Sequence, residues 1–211
     1  MWDKEYLKEC MFSEGAGSLS DELFEEFLSK GEMKEYGPDI EIISPGSIDK
    51  ALYVIASGVT KVFYFDGRNE VILGFGGVGT FTLSPLGYIM DKPAFCGFKT
   101  ITKCDILKIR ESDLNALLES SHEFAIWMFR IAMAQICALE LKVRMFNEGD
   151  IISNYKKMVK EQMHPGKNEF QTHRENLLNI VSSKDIASYL GITQSYLSNI
   201  RKAIIDQERK K

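Results

Sequence analysis

The sequence has little of what would cross-link it, anchor it in a membrane or equip it as an enzyme. Its four cysteines, Cys10, Cys96, Cys104 and Cys137, are scattered over 211 residues, with no C-x-x-C pair and no histidine at zinc spacing. Neither a disulfide framework nor a zinc site is expected from that pattern, and no metal is assigned. Inert core thiols are the expected role, with redox sensing at Cys96 and Cys104 the alternative. No run approaches the roughly 18 to 20 uninterrupted apolar residues of a membrane span, because Arg130, Gln135, Glu140 and Lys142 break the longest one. Met1-Trp2-Asp3-Lys4-Glu5 carries acids and no apolar signal core, so a cytoplasmic location is expected. Acidic pairs are plentiful, yet no nucleophile and base form a recognisable constellation. Gly74-Phe75-Gly76-Gly77-Val78-Gly79 lies between β-runs, where turns account for it, and no phosphate-cradling loop precedes a helix. An enzyme is not expected.

What is present suits a soluble globular chain with one large domain and one small one: 45% of residues are hydrophobic and 27% charged. The net charge of −4 is unevenly distributed. Residues 148–211 hold 11 Lys and Arg against 8 Asp and Glu, leaving 15 against 22 in the first 147. Positive charge thus collects at the C-terminal end, where phosphates would need neutralising.

Leu19-Ser20-Asp21-Glu22-Leu23-Phe24 reads as a helix start, with Ser20 as N-cap, acids in the first turn and Leu19 and Phe24 as a hydrophobic staple; Gly31 closes the helix. From Ile40 to Ile109 short β-runs alternate with turns at Asp66-Gly67 and Gly76-Gly77, which predicts a closed antiparallel sandwich or barrel. Ser112 is placed as the cap of a short helix, and Ser120 with Glu123 as the capping box of a much longer one. Along the long helix Trp127, Ile131, Ala134, Ala138, Leu141 and Met145 recur at spacings of four and three, as in the seam of a coiled coil. Phe129, Ala132, Ile136, Leu139, Val143 and Phe146 make a second seam. One small β-domain covers one seam; the first is assigned to a dimer interface, a core helix buried within a monomer being the alternative. A hinge is expected at Asn147-Glu148-Gly149, then an amphipathic helix from Ile151 to Met163 and a turn at His164-Pro165-Gly166.

The segment Ser183 to Lys202 meets the geometric demands of a helix-turn-helix in register. Ser183 caps the first helix, Ile186 and Leu190 face inward, and Ala187 is small where the helices come closest. Gly191 supplies the left-handed turn, Thr193 caps the second helix, and Leu197 and Ile200 anchor it. Gln194, Ser195, Ser198, Asn199 and Lys202 face outward, with Tyr196 and Arg201 at the margins. Gln and Asn suit bidentate bonds to adenine, and Lys and Arg suit guanine or phosphate. With Lys184 and Thr193 added, these nine residues form the expected DNA-binding set. A solvated αα-hairpin is the competing reading.

In this order the elements resemble the Crp/Fnr family of regulators over nearly the whole chain. Leu52-Tyr53-Val54-Ile55-Ala56-Ser57-Gly58 is similar to that family's L-Y-x-I-x-x-G strand, and Gly79-Thr80-Phe81 to its G-D-F. The resemblance implies an α+β chain: an N-terminal antiparallel β-roll, a cupin-like double-stranded barrel with flanking helices, then a long dimerisation helix and a C-terminal all-α helix-turn-helix domain. The boundaries are expected at residues 1–119 for a cyclic-nucleotide-binding-like sensor, 120–147 for the long helix and hinge, and 148–211 for the DNA-binding domain.

Departures from the family bear on the effector. Where cyclic-nucleotide binders carry a G-E-L carboxylate and a phosphate-neutralising Arg, this chain has Leu83-Ser84-Pro85 and Ala94-Phe95, and the purine-facing polar pair falls at Leu139-Glu140. Cyclic AMP is therefore not expected as effector, since a buried phosphate without a cation is costly. A pocket lined by Phe75, Phe81, Leu83, Ser84, Phe95 and Leu139 would suit an apolar ligand, a collapsed core being the alternative. Only Cys10 lies near the N-terminus, where the iron-sulfur members carry a cysteine cluster, and His122 is the one histidine near the sensor, so no cofactor is identified. The expected function is homodimeric, sequence-specific binding of double-stranded DNA, with RNA polymerase as a further partner if the protein activates transcription. The alternative is a small-molecule sensor whose helix-turn-helix serves protein contacts.

Overall fold

In the computed structural model, which describes residues 2–12, 17–148, 150–161 and 180–208, the short β-runs form two four-stranded antiparallel sheets. Two helices come first, α1 (Lys4–Phe12) and α2 (Asp21–Lys30), followed by β1 (Glu32–Tyr36), β2 (Glu41–Ile43), β3 (Leu52–Ser57), β4 (Thr60–Asp66), β5 (Asn69–Gly76) and β6 (Phe81–Thr82). A short helix α3 (Pro85–Met90) precedes β7 (Gly97–Thr100) and β8 (Cys104–Ile109). The strand orders are β1-β8-β3-β6 and β2-β7-β4-β5.

The near-continuous apolar run of β3 follows from burial on both faces. Leu52, Val54 and Ala56 join Leu107 and Ile109 of β8 in a core shared with the helices. Tyr53 and Ile55 point the other way, with Cys104, Ile106 and Phe98, into the space between the sheets. Alternation would have left one face polar; here neither is. Gly58 ends the strand at φ +87, and a Cβ there would stand 2.4 Å from the Lys103 carbonyl oxygen, so the turn into β4 requires glycine. The β4–β5 hairpin turns one residue later than expected: Asp66 pairs with Asn69, so Gly67 and Arg68 form the loop. The expected Gly76-Gly77 turn also shifts, since β5 runs through Gly76 and Gly79 takes the positive φ of 81.

Helices α4 (Glu111–Ser120) and α5 (His122–Glu148) cover the first sheet together with α1 and α2. Arg110, not Ser112, holds the N-cap position of α4. Ser121, not Ser120, caps α5, its Oγ accepting the Phe124 amide at 3.2 Å. Glu123 is drawn away from the box because its carboxylate accepts both the Ser20 amide and the Ser20 hydroxyl. Ser20 therefore holds the N-cap position of α2 without a side-chain cap bond. The Trp127 indole donates to the Gly17 carbonyl at 3.3 Å, which fixes α5 to the N-terminal helices.

By length and composition α5 could cross a membrane, with mean hydropathy 1.5 over His122–Arg144. A count of uninterrupted apolar residues overlooks this. In the fold, however, Phe124, Trp127 and Ile131 bury the start of the helix in the chain's own core, and Gln135 donates to the Phe81 carbonyl at 3.1 Å.

Candidate nucleic-acid interface

After α5 come α6 (Ile151–Glu161), α7 (Ser183–Tyr189) and α8 (Gln194–Glu208); the expected turn at His164-Pro165-Gly166 lies outside the described residues. The pair α7–α8 is built from local signals that were legible one by one. Ser182 rather than Ser183 caps α7, its hydroxyl accepting the Asp185 amide at 3.0 Å. Ser183 becomes the first helical residue and receives the Arg201 guanidinium at 2.9 Å. Gly191 holds φ +66, and Thr193 Oγ1 accepts the Tyr196 amide at 3.2 Å, capping α8. Ile186, Ala187, Leu190, Leu197 and Ile200 are all buried.

That packing leaves one face of α8 to solvent. Gln194, Ser195, Tyr196, Ser198, Asn199 and Lys202 are exposed, as are Lys184 on α7 and the capping Thr193. Arg201 is not on this face. Its Nε donates to the Tyr155 hydroxyl at 3.2 Å, so it braces α8 against α6 and α7.

The inner face of the pair does not stop at its own core. Ile186, Tyr189 and Leu190 share a cluster with Phe63, Ile72 and Phe75 of the β4–β5 hairpin. Strand β5 is a sheet edge, and α7 covers it: Ser188 Oγ accepts the Ile72 amide at 3.1 Å and donates to the Glu70 carbonyl at 3.0 Å. Lys61, only 8% exposed, pairs with Glu70 at 2.5 Å and with Asp185 of α7 at 3.2 Å. From α5, Lys142 donates to the Leu73 carbonyl and sits 4.0 Å from the Tyr189 ring centroid. Burial lowers the Lys142 ammonium from its ordinary value to about 8 and raises the Tyr189 phenol. Sequence reading missed this contact because its two sides are more than 100 residues apart and each polar residue alone looks like surface.

The two seams of α5 part company here. Trp127 and Ile131 of the expected dimer seam are buried in the chain's own core, so they are not available to a partner. Ala134, Ala138 and Leu141 of that seam are exposed, and the Met145 side chain lies outside those described. In the second seam Phe129, Ile136, Leu139 and Val143 are 62%, 46%, 58% and 60% exposed. From Ala132 to Leu141 every residue of the helix is exposed, though only Gln135 and Glu140 are polar.

Three of the expected pocket residues, Leu83, Ser84 and Phe95, line a cleft of about 250 Å³ with Val62, Cys96 and Phe98. The others lie elsewhere: Phe81 stacks edge-on against Trp127, Phe75 lies against Tyr189, and Leu139 is exposed on α5. None of the residues lining the cleft is charged. Ser84 spends its hydroxyl capping α3, accepting the Gly87 amide at 3.2 Å, and burial raises the Cys96 thiol. Among the described residues no cluster of three or more His, Cys, Asp or Glu is placed to hold a metal ion.

Comparison with family models and with characterised proteins finds no sequence match. Comparison with solved structures does. The c-di-GMP-responsive global regulator CLP of Xanthomonas campestris superposes with a TM-score of 0.66 at 17% identity, over 90% of this chain and 93% of that one. A CooA variant from Carboxydothermus hydrogenoformans gives 0.67 at 13% identity, over 86% and 79%. The fold is that of the Crp/Fnr regulators. The catabolite activator protein of Thermus thermophilus shares it with a TM-score of 0.52 at 18% identity, over 90% and 85%. The Crp/Fnr fold accounts for the sheet-rich N-terminal half followed by helices.

Proposed function

We propose that this chain is a cytoplasmic, homodimeric transcription regulator that binds specific double-stranded DNA through α8. The observation that carries the reading is the exposed polar face of α8, held on a doubly capped and internally packed helix pair. Gln194, Ser195, Ser198 and Asn199 reach base edges, while Lys184, Thr193, Tyr196, Arg201 and Lys202 serve the backbone or support the readers. If the protein activates transcription, RNA polymerase is a further partner.

A second copy is proposed to cover α5. A helix apolar on all sides is not stable in water, and the stretch from Ala132 to Leu141 is left uncovered by the described residues. The proposed seam is Phe129, Met133, Ile136, Leu139 and Val143, with Ala134, Ala138 and Leu141 beside it. Two copies joined this way present two α8 helices to successive major grooves, with half-sites about 34 Å apart.

The sensor cleft is proposed to take no cyclic nucleotide. A cyclic phosphate would be buried there without a cation, and contacts to charged groups are each worth about 1.5–3 kcal/mol. An apolar or weakly polar effector suits the lining. Electrophoretic mobility shift with a mixed pool of short duplexes tests the DNA reading: retarded complexes that dissolve as salt rises are expected, and none at low salt would overturn it.

A further inference from the structure

We propose that the contact between α7 and the edge of β5 is an autoinhibitory latch, which holds the helix pair against the sensor sheet and must open for DNA to bind; this rests on the DNA-binding reading above. Three polar links cross the contact in addition to the shared apolar cluster. Asp185 reaches Lys61, whose other partner, Glu70, lies on the sensor side. Ser188 completes the hydrogen bonding of the β5 edge at Ile72 and Glu70. Lys142 ties α5 to both sides, through the Leu73 carbonyl and the Tyr189 ring.

The geometry gives the latch its sign. Asn69, Glu70 and Val71 form one wall of a cleft of about 340 Å³, and Lys184, Gly191 and Gln194 form another. Residues at the N-terminal end of a recognition helix are the ones that reach base edges, and the flanking phosphates then run over the turn and the preceding helix. In the latched arrangement the hairpin, through Asn69, the acidic Glu70 and Val71, stands at that end. A DNA backbone running over Lys184 and the start of α8 would meet this hairpin wall. Hairpin and DNA therefore compete for the same end of α8. The links suit a contact that opens: Lys61 keeps Glu70 when Asp185 leaves, so release strands no buried cation, and Ser188 and the Ile72 amide exchange each other for water.

The test uses the full chain with Asp185→Asn and Ser188→Ala, neither of which is placed in the DNA-reading set. Backbone hydrogen exchange at Ile72 reads the latch without DNA, and fluorescence anisotropy with a selected duplex reads affinity. Both variants are expected to speed exchange at Ile72 and to tighten DNA binding by about tenfold, the loss of one link to a charged or edge group. Asp185→Asn also removes a negative charge that DNA would repel, so the neutral Ser188→Ala decides whether the gain comes from release. Unchanged exchange in both variants would show that there is no latch. Faster exchange with unchanged or weaker DNA binding in Ser188→Ala would show a contact that is not inhibitory. Faster exchange with no DNA binding by any form would overturn the DNA reading and the inhibitory role with it. Circular dichroism confirms that each variant is folded.

Discussion

Replacing Ile136 by Glu is expected to split the proposed dimer without unfolding the subunit. Ile136 is 46% exposed in the single chain, so about half of its side-chain burial, about 1 kcal/mol, is still to be gained from a partner. A twofold seam counts the residue twice, giving about 2 kcal/mol per dimer. Two carboxylates brought to the same dry seam add a desolvation and repulsion cost of at least similar size. The sum, about 4 kcal/mol, weakens association about a thousandfold. Sedimentation velocity over a range of micromolar concentrations should show the parent chain as a dimer and Ile136→Glu as a monomer of unchanged helicity. A parent chain that stays monomeric at high concentration, or a variant that dimerises as tightly as the parent, would refute the reasoning that α5 needs a second copy.

Other consequences are equally direct. Gly191→Val forces a β-branched residue to φ +66 and should destabilise the helix pair by about 2 kcal/mol, abolishing DNA binding while leaving the sensor sheets folded, as read by thermal melts with domain-resolved hydrogen exchange. Asn199→Ala should flatten base preference, whereas Lys202→Ala should weaken all duplexes alike and lower the salt slope, in competition binding against point-mutated sites. Lys142 has its folded value lowered to about 8 from 10.5 by burial, so the packed state carries a desolvation cost below pH 8 that is relieved as pH rises towards 10.5. The parent should therefore gain stability relative to Lys142→Met over that window; a constant difference between the two melts would contradict the assignment. Isothermal titration with cyclic AMP should show no micromolar binding.

Element types, the turn glycine and the outward face of α8 were legible because each depends on neighbours within a few residues. Gly191 between Leu190 and Ile192 announces a left-handed turn from composition alone. Boundaries moved by one residue where a distant group intervened: Glu123 left the expected capping box for Ser20, and Ser183 gave up its cap role to hold Arg201. Which seam of α5 faces inward was not legible, because Trp127 and Phe129 are equally apolar and only the position of the N-terminal helices distinguishes them. The same holds for Arg201, whose place at the margin of α8 fits phosphate contact as well as the bracing role it has towards Tyr155. The latch was invisible for a related reason: Lys61, Asp185 and Ser188 acquire meaning only when β5 and α7 meet.

Selection of bound fragments from random duplex DNA by the purified full chain decides whether α8 reads a specific DNA sequence. A twofold-symmetric sequence with half-sites about one helical turn apart should be enriched, and the enrichment should be lost when Gln194 and Asn199 are both replaced by Ala. Enrichment of no sequence over the starting pool at low salt would contradict it.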